Sequence, residues 1–205
     1  MAVELVLGLG NPGPRYAATR HNVGFRVADE LVRRAGAPAW REHPLCLLTT
    51  ARLAREVSVA KPLTYMNLSG SALLWLLERS GLGPAEVLVV VDDVDLPLGR
   101  LRLRPRGGPG THNGLRDLCD AVGTDFPRLR VGVAAGDEAP LDLADWVTSP
   151  FETHELEAAS AAVERAADAV ETAVAEGITA AMNRFNRTPP PDPDGDGGAS
   201  PETER

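Results

Sequence analysis

Hydrophobic positions along the chain follow two rhythms, one of strand length and one of helical period. Val3–Leu9 and Val87–Asp92 are short apolar runs, as buried strands require, and the second is β-branched and ends in acids. Two further runs, roughly 45–50 and 53–60, read as a hairpin closed by polar residues. Leu101 and Leu103 alternate with arginines at 100, 102 and 104, and Leu129–Ala134 forms another apolar run, so both predict strands. Residues 22–36 instead place Val27, Ala28, Leu31, Val32 and Ala35 on one helical face. Leu68–Ser80 is apolar almost all round (Leu73, Leu74, Trp75, Leu76, Leu77) and predicts a buried helix. A helix over about 113–122 follows a Gly-rich loop. Leu156, Ala159, Val163, Ala167, Val170 and Val174 mark a long amphipathic helix, and a shorter one after Gly177 carries Ile178, Met182 and Phe185. Strands alternating with helices predict a single α/β domain over 1–187, with a mixed, mostly parallel sheet flanked by helices. From Thr188 to Arg205 the chain is acidic and rich in Pro, Asp, Gly and Ser, and the expectation is a disordered tail.

Composition changes this picture little. The 205 residues, 43% of them hydrophobic, suit one core, and no apolar run reaches bilayer length. The N-terminus lacks a basic leader and a small-residue cleavage site, so no signal peptide is expected. The two cysteines, Cys46 and Cys119, have no CxxC spacing, which argues against a disulfide scaffold or a zinc site and favours the cytoplasm.

Charge changes it more. A net charge of −8 speaks against a nucleic-acid partner until its distribution is read. Residues 1–151 hold 17 acidic and 17 basic side chains, so the negative excess lies in the last quarter. Within the neutral part, Arg100, Arg102, Arg104, Arg106 and Arg116 lie in one stretch with no acid among them. A local field of that kind steers a polyanion.

Candidate chemistry sits in five motifs. Gly8-Leu9-Gly10-Asn11-Pro12-Gly13 follows a strand, as a dinucleotide-binding loop would. The third glycine opens no helix, however, and the acids about twenty residues on, Asp29 and Glu30, fall on a helix's polar face. His21, in Tyr16-Ala17-Ala18-Thr19-Arg20-His21-Asn22, lies near a strand-to-helix turn, where α/β sites are built. Asn67, in Lys61–Gly70, reads in isolation as an N-cap for the helix after it. Asp92-Asp93-Val94-Asp95 invites a metal reading, but no second acid- or His-rich segment completes a shell. One of these acids paired with His21 is the simpler reading, leaving the others to cap or face solvent. Gly107–Leu115, running into a helix behind the arginines, reads as a phosphate site. No G-x-S-x-G elbow is present and neither cysteine lies in a nucleophile motif, so activated water is favoured over a covalent route.

Taken together, GLGNPG…Y..TRHN.G, KP.TYMN.SG, DD.DLP.G..R.R and GG.G.HNGL resemble the bacterial-type peptidyl-tRNA hydrolases, from about Val3 to Met182. The resemblance implies a monomeric, metal- and cofactor-free enzyme that cleaves the ester between a peptide and the 3′ end of tRNA released from ribosomes. It assigns His21 as catalytic base and Asp92 as the carboxylate that holds it. It makes Asn11, Asn67 and Asn113 substrate-binding amides, with Asn11 reading the acylated amino group. Tyr16 and Tyr65 match residues near the tRNA 3′ CCA end, and Arg104 and Arg130 match basic residues that bind tRNA phosphates. The chain departs from the family pattern at Pro109 and Thr111, where Gly-Gly is usual before His-Asn, and in its acidic tail. Two rivals remain: a non-catalytic RNA-binding module, which would not need His21 and Asp92 together, and a nicotinamide-dependent oxidoreductase.

Overall fold

Strand-length apolar runs joined by amphipathic helices bury most surface as a sheet covered on both faces. A computed structural model of the chain describes residues 2–134 and 142–187. Strands β1 (Leu5–Gly8), β2 (Arg41–Glu42), β3 (Cys46–Arg52), β4 (Glu56–Pro62), β5 (Val87–Pro97), β6 (Leu101–Arg104) and β7 (Arg128–Ala134) form one sheet. Its order is β2-β3-β4-β1-β5-β7-β6. β1 pairs in parallel with β4 and β5, and β5 with β7. The outer pairs β2–β3, β3–β4 and β6–β7 are antiparallel, so only β3 and β6 oppose the other strands. The expected mixed, mostly parallel sheet in a single α/β domain is what forms.

Period-2 alternation divides the core in two. Val6, Val59, Leu88, Val90, Leu103, Leu129 and Val131 face α1 (Val23–Arg34), α5 (Leu156–Glu176) and α6 (Ile178–Phe185). Leu5, Leu7, Val87, Val89 and Val91 face α2 (Ser69–Ser80) and α3 (Asn113–Val122) on the other side. A short α4 (Leu143–Thr148) lies between β7 and α5 in the chain. The helix after β1 packs on one face and the helix after β4 on the other. The ends of β4, β1 and β5 therefore meet where the chain changes faces, the place where an open α/β sheet leaves a crevice.

Several expectations are adjusted. The Asp-rich segment continues β5 to Pro97 through an irregularity between Asp93 and Pro97, because it still pairs with β7. The first helix begins at Val23, after a 3-10 turn over Arg20–Asn22. Helix α2 is not buried all round. Leu74 is 48% exposed and Leu68, just ahead of the helix, 53%, since the sheet covers one side only. Neither β2 nor α4 was anticipated: two residues and six are too short to show a period. The tail over 188–205 lies outside the described residues. Among the described residues, no helix is long and apolar enough to cross a membrane.

Candidate active site

Close packing at the end of β1 builds the floor of the site. A Cβ on Gly8 would lie 2.2 Å from the Gly24 carbonyl oxygen, and one on Gly24 would lie 2.4 Å from that of Val90. The start of α1 thus rests directly on the sheet, which brings the turn before it to the strand ends. Gly13 has a φ of 101°, and it opens only a three-residue 3-10 turn over Pro14–Tyr16 rather than an α-helix. The glycines that mimic a dinucleotide loop serve helix packing and a turn.

On that floor His21 Nδ1 lies 2.7 Å from Asp92 Oδ1, and both residues are buried. Burial would raise the Asp92 pKa, but the charges and hydrogen bonds of His112 and His21 outweigh it and hold the carboxyl well below the usual carboxylate range. An ionised Asp92 only accepts, so His21 carries its proton on Nδ1 and Nε2 is left as a base. His112 Nε2 approaches the same Asp92 oxygen at 3.0 Å. His112 also caps α3, its Nδ1 accepting from the Leu115 N–H at 3.1 Å. That bond places the His112 proton on Nε2, where it too is donated to Asp92.

His21, Asp92 and His112 also form the one group among the described residues with ligand atoms close enough to hold a metal ion. Ligation through His112 Nε2 would move its proton to Nδ1, against the Leu115 N–H. The donor set suits two protons better than a cation.

A cavity of about 180 Å³ opens over these groups, lined by His21, Asp92, Asn113, Arg130, Leu143 and Val147 among others. Asn113, the first residue of α3, is exposed, and its Oδ1 accepts from Arg116 at 3.3 Å. The start of α3 therefore belongs to this cavity rather than to the arginine groove, where the sequence reading put it. Asn11 is buried and fixed from three sides. Its Oδ1 accepts from Met66 N at 2.8 Å, its backbone N–H donates to Asn22 Oδ1 at 2.9 Å, and its carbonyl accepts from Asn22 Nδ2 at 3.0 Å. Asn67 is exposed in a 3-10 turn over Met66–Leu68, and it is not the N-cap of α2, a position held by Leu68. Tyr65 is 55% exposed next to Met66, and Tyr16 is partly buried with the Arg15 guanidinium 4.4 Å from its ring centre. A hydrogen bond to Tyr16 raises the Arg15 pKa.

The arginine stripe divides. Arg102, Arg104 and Arg106 line a groove with Gly107, Gly108, Arg128 and Arg130, and with Asp93 and Asp95. Arg100, at the β5–β6 turn, lies instead by Arg165, whose pKa is lowered by burial and then by this neighbour. Arg130 is largely engaged, bonding Asp93 at 3.1 Å and the carbonyls of Gly108 and Pro109 at 3.2 and 3.1 Å. Asp93 also caps the Asp95 N–H, so of the acid cluster Asp95 alone is exposed.

Residues 5–192 match the family model for peptidyl-tRNA hydrolase. The chain belongs to that family. A peptidyl-tRNA hydrolase from Chloroflexus aggregans is 46% identical over 185 residues, covering 89% of this chain and 98% of the relative. One from Symbiobacterium thermophilum is 46% identical over 188 residues, covering 89% and 98%. The crystal structure of peptidyl-tRNA hydrolase from Acinetobacter baumannii superposes with a TM-score of 0.82 at 31% identity, over 90% of this chain and 94% of that one. Neither an oxidoreductase nor a bare RNA-binding module is needed to explain the motifs.

Three residues of this peptidyl-tRNA hydrolase site escaped the sequence reading. His112 joins Asp92 from the far side of the sheet, Asn22 clamps Asn11, and Arg128 is buried with its guanidinium on the carbonyls of Gly107, Gly108 and Thr124. The HN pairs at 21–22 and 112–113 were the available signal, since each supplies an imidazole for Asp92 and a neighbouring amide.

Proposed function

We propose that the chain hydrolyses the ester between a peptide, or an N-blocked aminoacyl group, and the 3′-terminal ribose of tRNA, with His21 as general base. The single observation that carries the reading is the buried His21–Asp92 pair on the floor of an open cavity. His21 Nε2 takes a proton from water as its oxygen attacks the ester carbonyl, and Asp92 stabilises the imidazolium. Collapse of the tetrahedral adduct expels the ribose oxygen, which takes that proton back. The products are a peptide acid and a tRNA with a free 3′ hydroxyl.

The asparagines suit a peptide ligand. Because the Oδ1 atoms of Asn11 and Asn113 already accept, their amide N–H groups are the ends offered to substrate oxygens. One such donor aimed at a developing oxyanion is worth about 2.7–4 kcal/mol. Asn67 is a third amide for the peptide, and the exposed Tyr65 and partly buried Tyr16 supply rings on which unpaired bases of the CCA end can stack. Arg102, Arg104 and Arg106 then hold acceptor phosphates, while Arg130 shapes the wall between groove and cavity. The enzyme works as a monomer in the cytoplasm, without a metal.

The test is cleavage of N-acetylaminoacyl-tRNA against free aminoacyl-tRNA, in the wild type and in Asn11→Asp. The wild type should cleave only the blocked substrate efficiently, and Asn11→Asp should erode that preference. Equal cleavage of both substrates by the wild type would refute the peptidyl-tRNA reading.

A further inference from the structure

Arg20, next to the base, is 1% exposed and ranks among the largest fully buried side chains. Its Nη2 donates to Glu155 Oε2 at 2.6 Å, and its guanidinium carbon lies 3.8 Å from the Trp146 ring centre and 4.8 Å from that of Phe151. Yet its Nε and Nη1, the Trp146 Nε1 and the Glu155 Oε1 are buried with no hydrogen-bond partner among the described residues. Four unpaired polar atoms in one cluster are expensive, and well-packed apolar side chains would fill such a space at lower cost. Stability is a poor explanation for the group.

Position is a better one. Helix α4 buries no residue of its own, so its packing does little to hold it. What ties it to the catalytic turn is the stack of Trp146 on Arg20, the bond from Arg20 N to the Ser149 carbonyl at 3.0 Å, and the bridge between Thr19 and Pro150. Leu143, Ala144 and Val147 of the same helix form the apolar side of the cavity over His21. A planar guanidinium on an indole face fixes height and tilt in a way that a point charge cannot.

We propose that Arg20 is a positioning residue that, through Trp146, sets α4 as the apolar wall against which the substrate's acyl side chain rests. The inference rests on reading this cavity as the acyl site. Arg20→Ala would strand Glu155 as a buried charge, so the informative variants are the double Arg20→Met with Glu155→Leu, and Trp146→Leu, which touches neither charge.

Each is assayed with N-acetylphenylalanyl-tRNA and N-acetylglycyl-tRNA, and its melting temperature is measured. For the phenylalanyl substrate, KM should rise about tenfold in both variants, the scale of one lost cation–π stack. KM for the glycyl substrate and both kcat values should stay within about twofold, because uniform binding is lost and chemistry is not. The double variant should melt within a few degrees of the wild type, the remaining cost being the bond from the Glu152 N–H to Glu155 Oε2, 2.7 Å long, that Glu155→Leu removes. Trp146→Phe, which keeps a ring under the guanidinium, should recover most of the lost affinity. A variant that melts like the wild type but keeps its KM, or loses kcat equally on both substrates, would show that Arg20 is merely structural. If the wild type itself binds both acyl groups alike, the cavity is not the acyl site and the inference falls with that reading.

Discussion

At the scale of single residues the site is organised around one oxygen. Asp92 Oδ1 takes a hydrogen bond from His21 and another from His112, and each bond fixes the tautomer of the ring that donates it. His21→Ala should lower turnover by about 10²–10⁴-fold while tRNA binding persists. Asp92→Asn should also be slow, because the amide can present an N–H to Nδ1 and turn the imidazole to the wrong tautomer. The sign of the pH dependence follows from the depressed Asp92 pKa. Stability owed to ionised Asp92 is fully present above the unfolded carboxyl value of about 3.9 and is lost as pH falls through its lower folded value. Asp92 therefore stays ionised, and the fold intact, down to pH values well below the usual carboxylate range. Rates and near-ultraviolet circular dichroism measured at the same pH values check this. Structure lost within the usual carboxylate range would contradict it.

At the scale of elements the site depends on how closely α1 approaches the sheet. Gly24 has no room for a side chain, since its Cβ would lie 2.4 Å from the Val90 oxygen and 2.5 Å from that of Leu9. Gly24→Ala should therefore cost about 1–3 kcal/mol as an overpacking change. For a chain of this size each kcal/mol lowers the melting temperature by about 2–4 °C, which calorimetry would detect. Because His21 sits in the turn leading into α1, kcat should fall as well at temperatures where the protein is still folded. An unchanged melting temperature would mean that helix and sheet separate freely. Helix α1 is further tied to α5 by Arg34, which bonds Glu30 at 2.7 Å and Asp168 at 2.6 Å. Hydrogen bonding from Arg33 first, with Arg34 adding to it, holds the Glu30 carboxyl at about 2, so the Glu30 that orients Arg34 from within α1 stays ionised well below neutral pH.

Across the whole molecule the charges separate by face. Leu101 and Leu103 point to the side covered by α5 and α6, so Arg102 and Arg104 point to the opposite side. The acids of α5 lie on the first side, and two of them, Asp168 and Glu171, answer Arg34. No acid pairs with Arg102 or Arg104 among the described residues, and Arg106 meets Asp125 only at 3.9 Å. A polyanion is thus attracted to the groove despite the net charge of −8. Each phosphate neutralised there contributes roughly −0.7 to −0.9 to the slope of log affinity against log salt. Arg104→Ala should flatten that slope by up to about one unit and weaken full-length tRNA binding. Hydrolysis of a blocked amino acid on a short 3′ fragment should change much less. An unchanged slope and affinity would remove Arg104 from the phosphate site.

The sequence by itself determined the α/β class, the main strands and helices and the family, and the resemblance named Asp92 as the partner of His21. Hydrophobic period and motif order are local, so they survive in one dimension. Only the tertiary structure decided that His112 shares Asp92, because the two histidines reach it from the turns ahead of α1 and α3, helices on opposite faces of the sheet. It also decided that Asn67 is no helix cap, that Arg130 is largely engaged by Asp93 and the Gly108–Pro109 carbonyls, and that Arg100 leaves its stripe at a turn. Arg20 was invisible for the same reason: its partners Glu155 and Trp146 lie more than a hundred residues away. A buried charge leaves no trace in local pattern, since what makes it tolerable is a partner that the chain brings up only by folding.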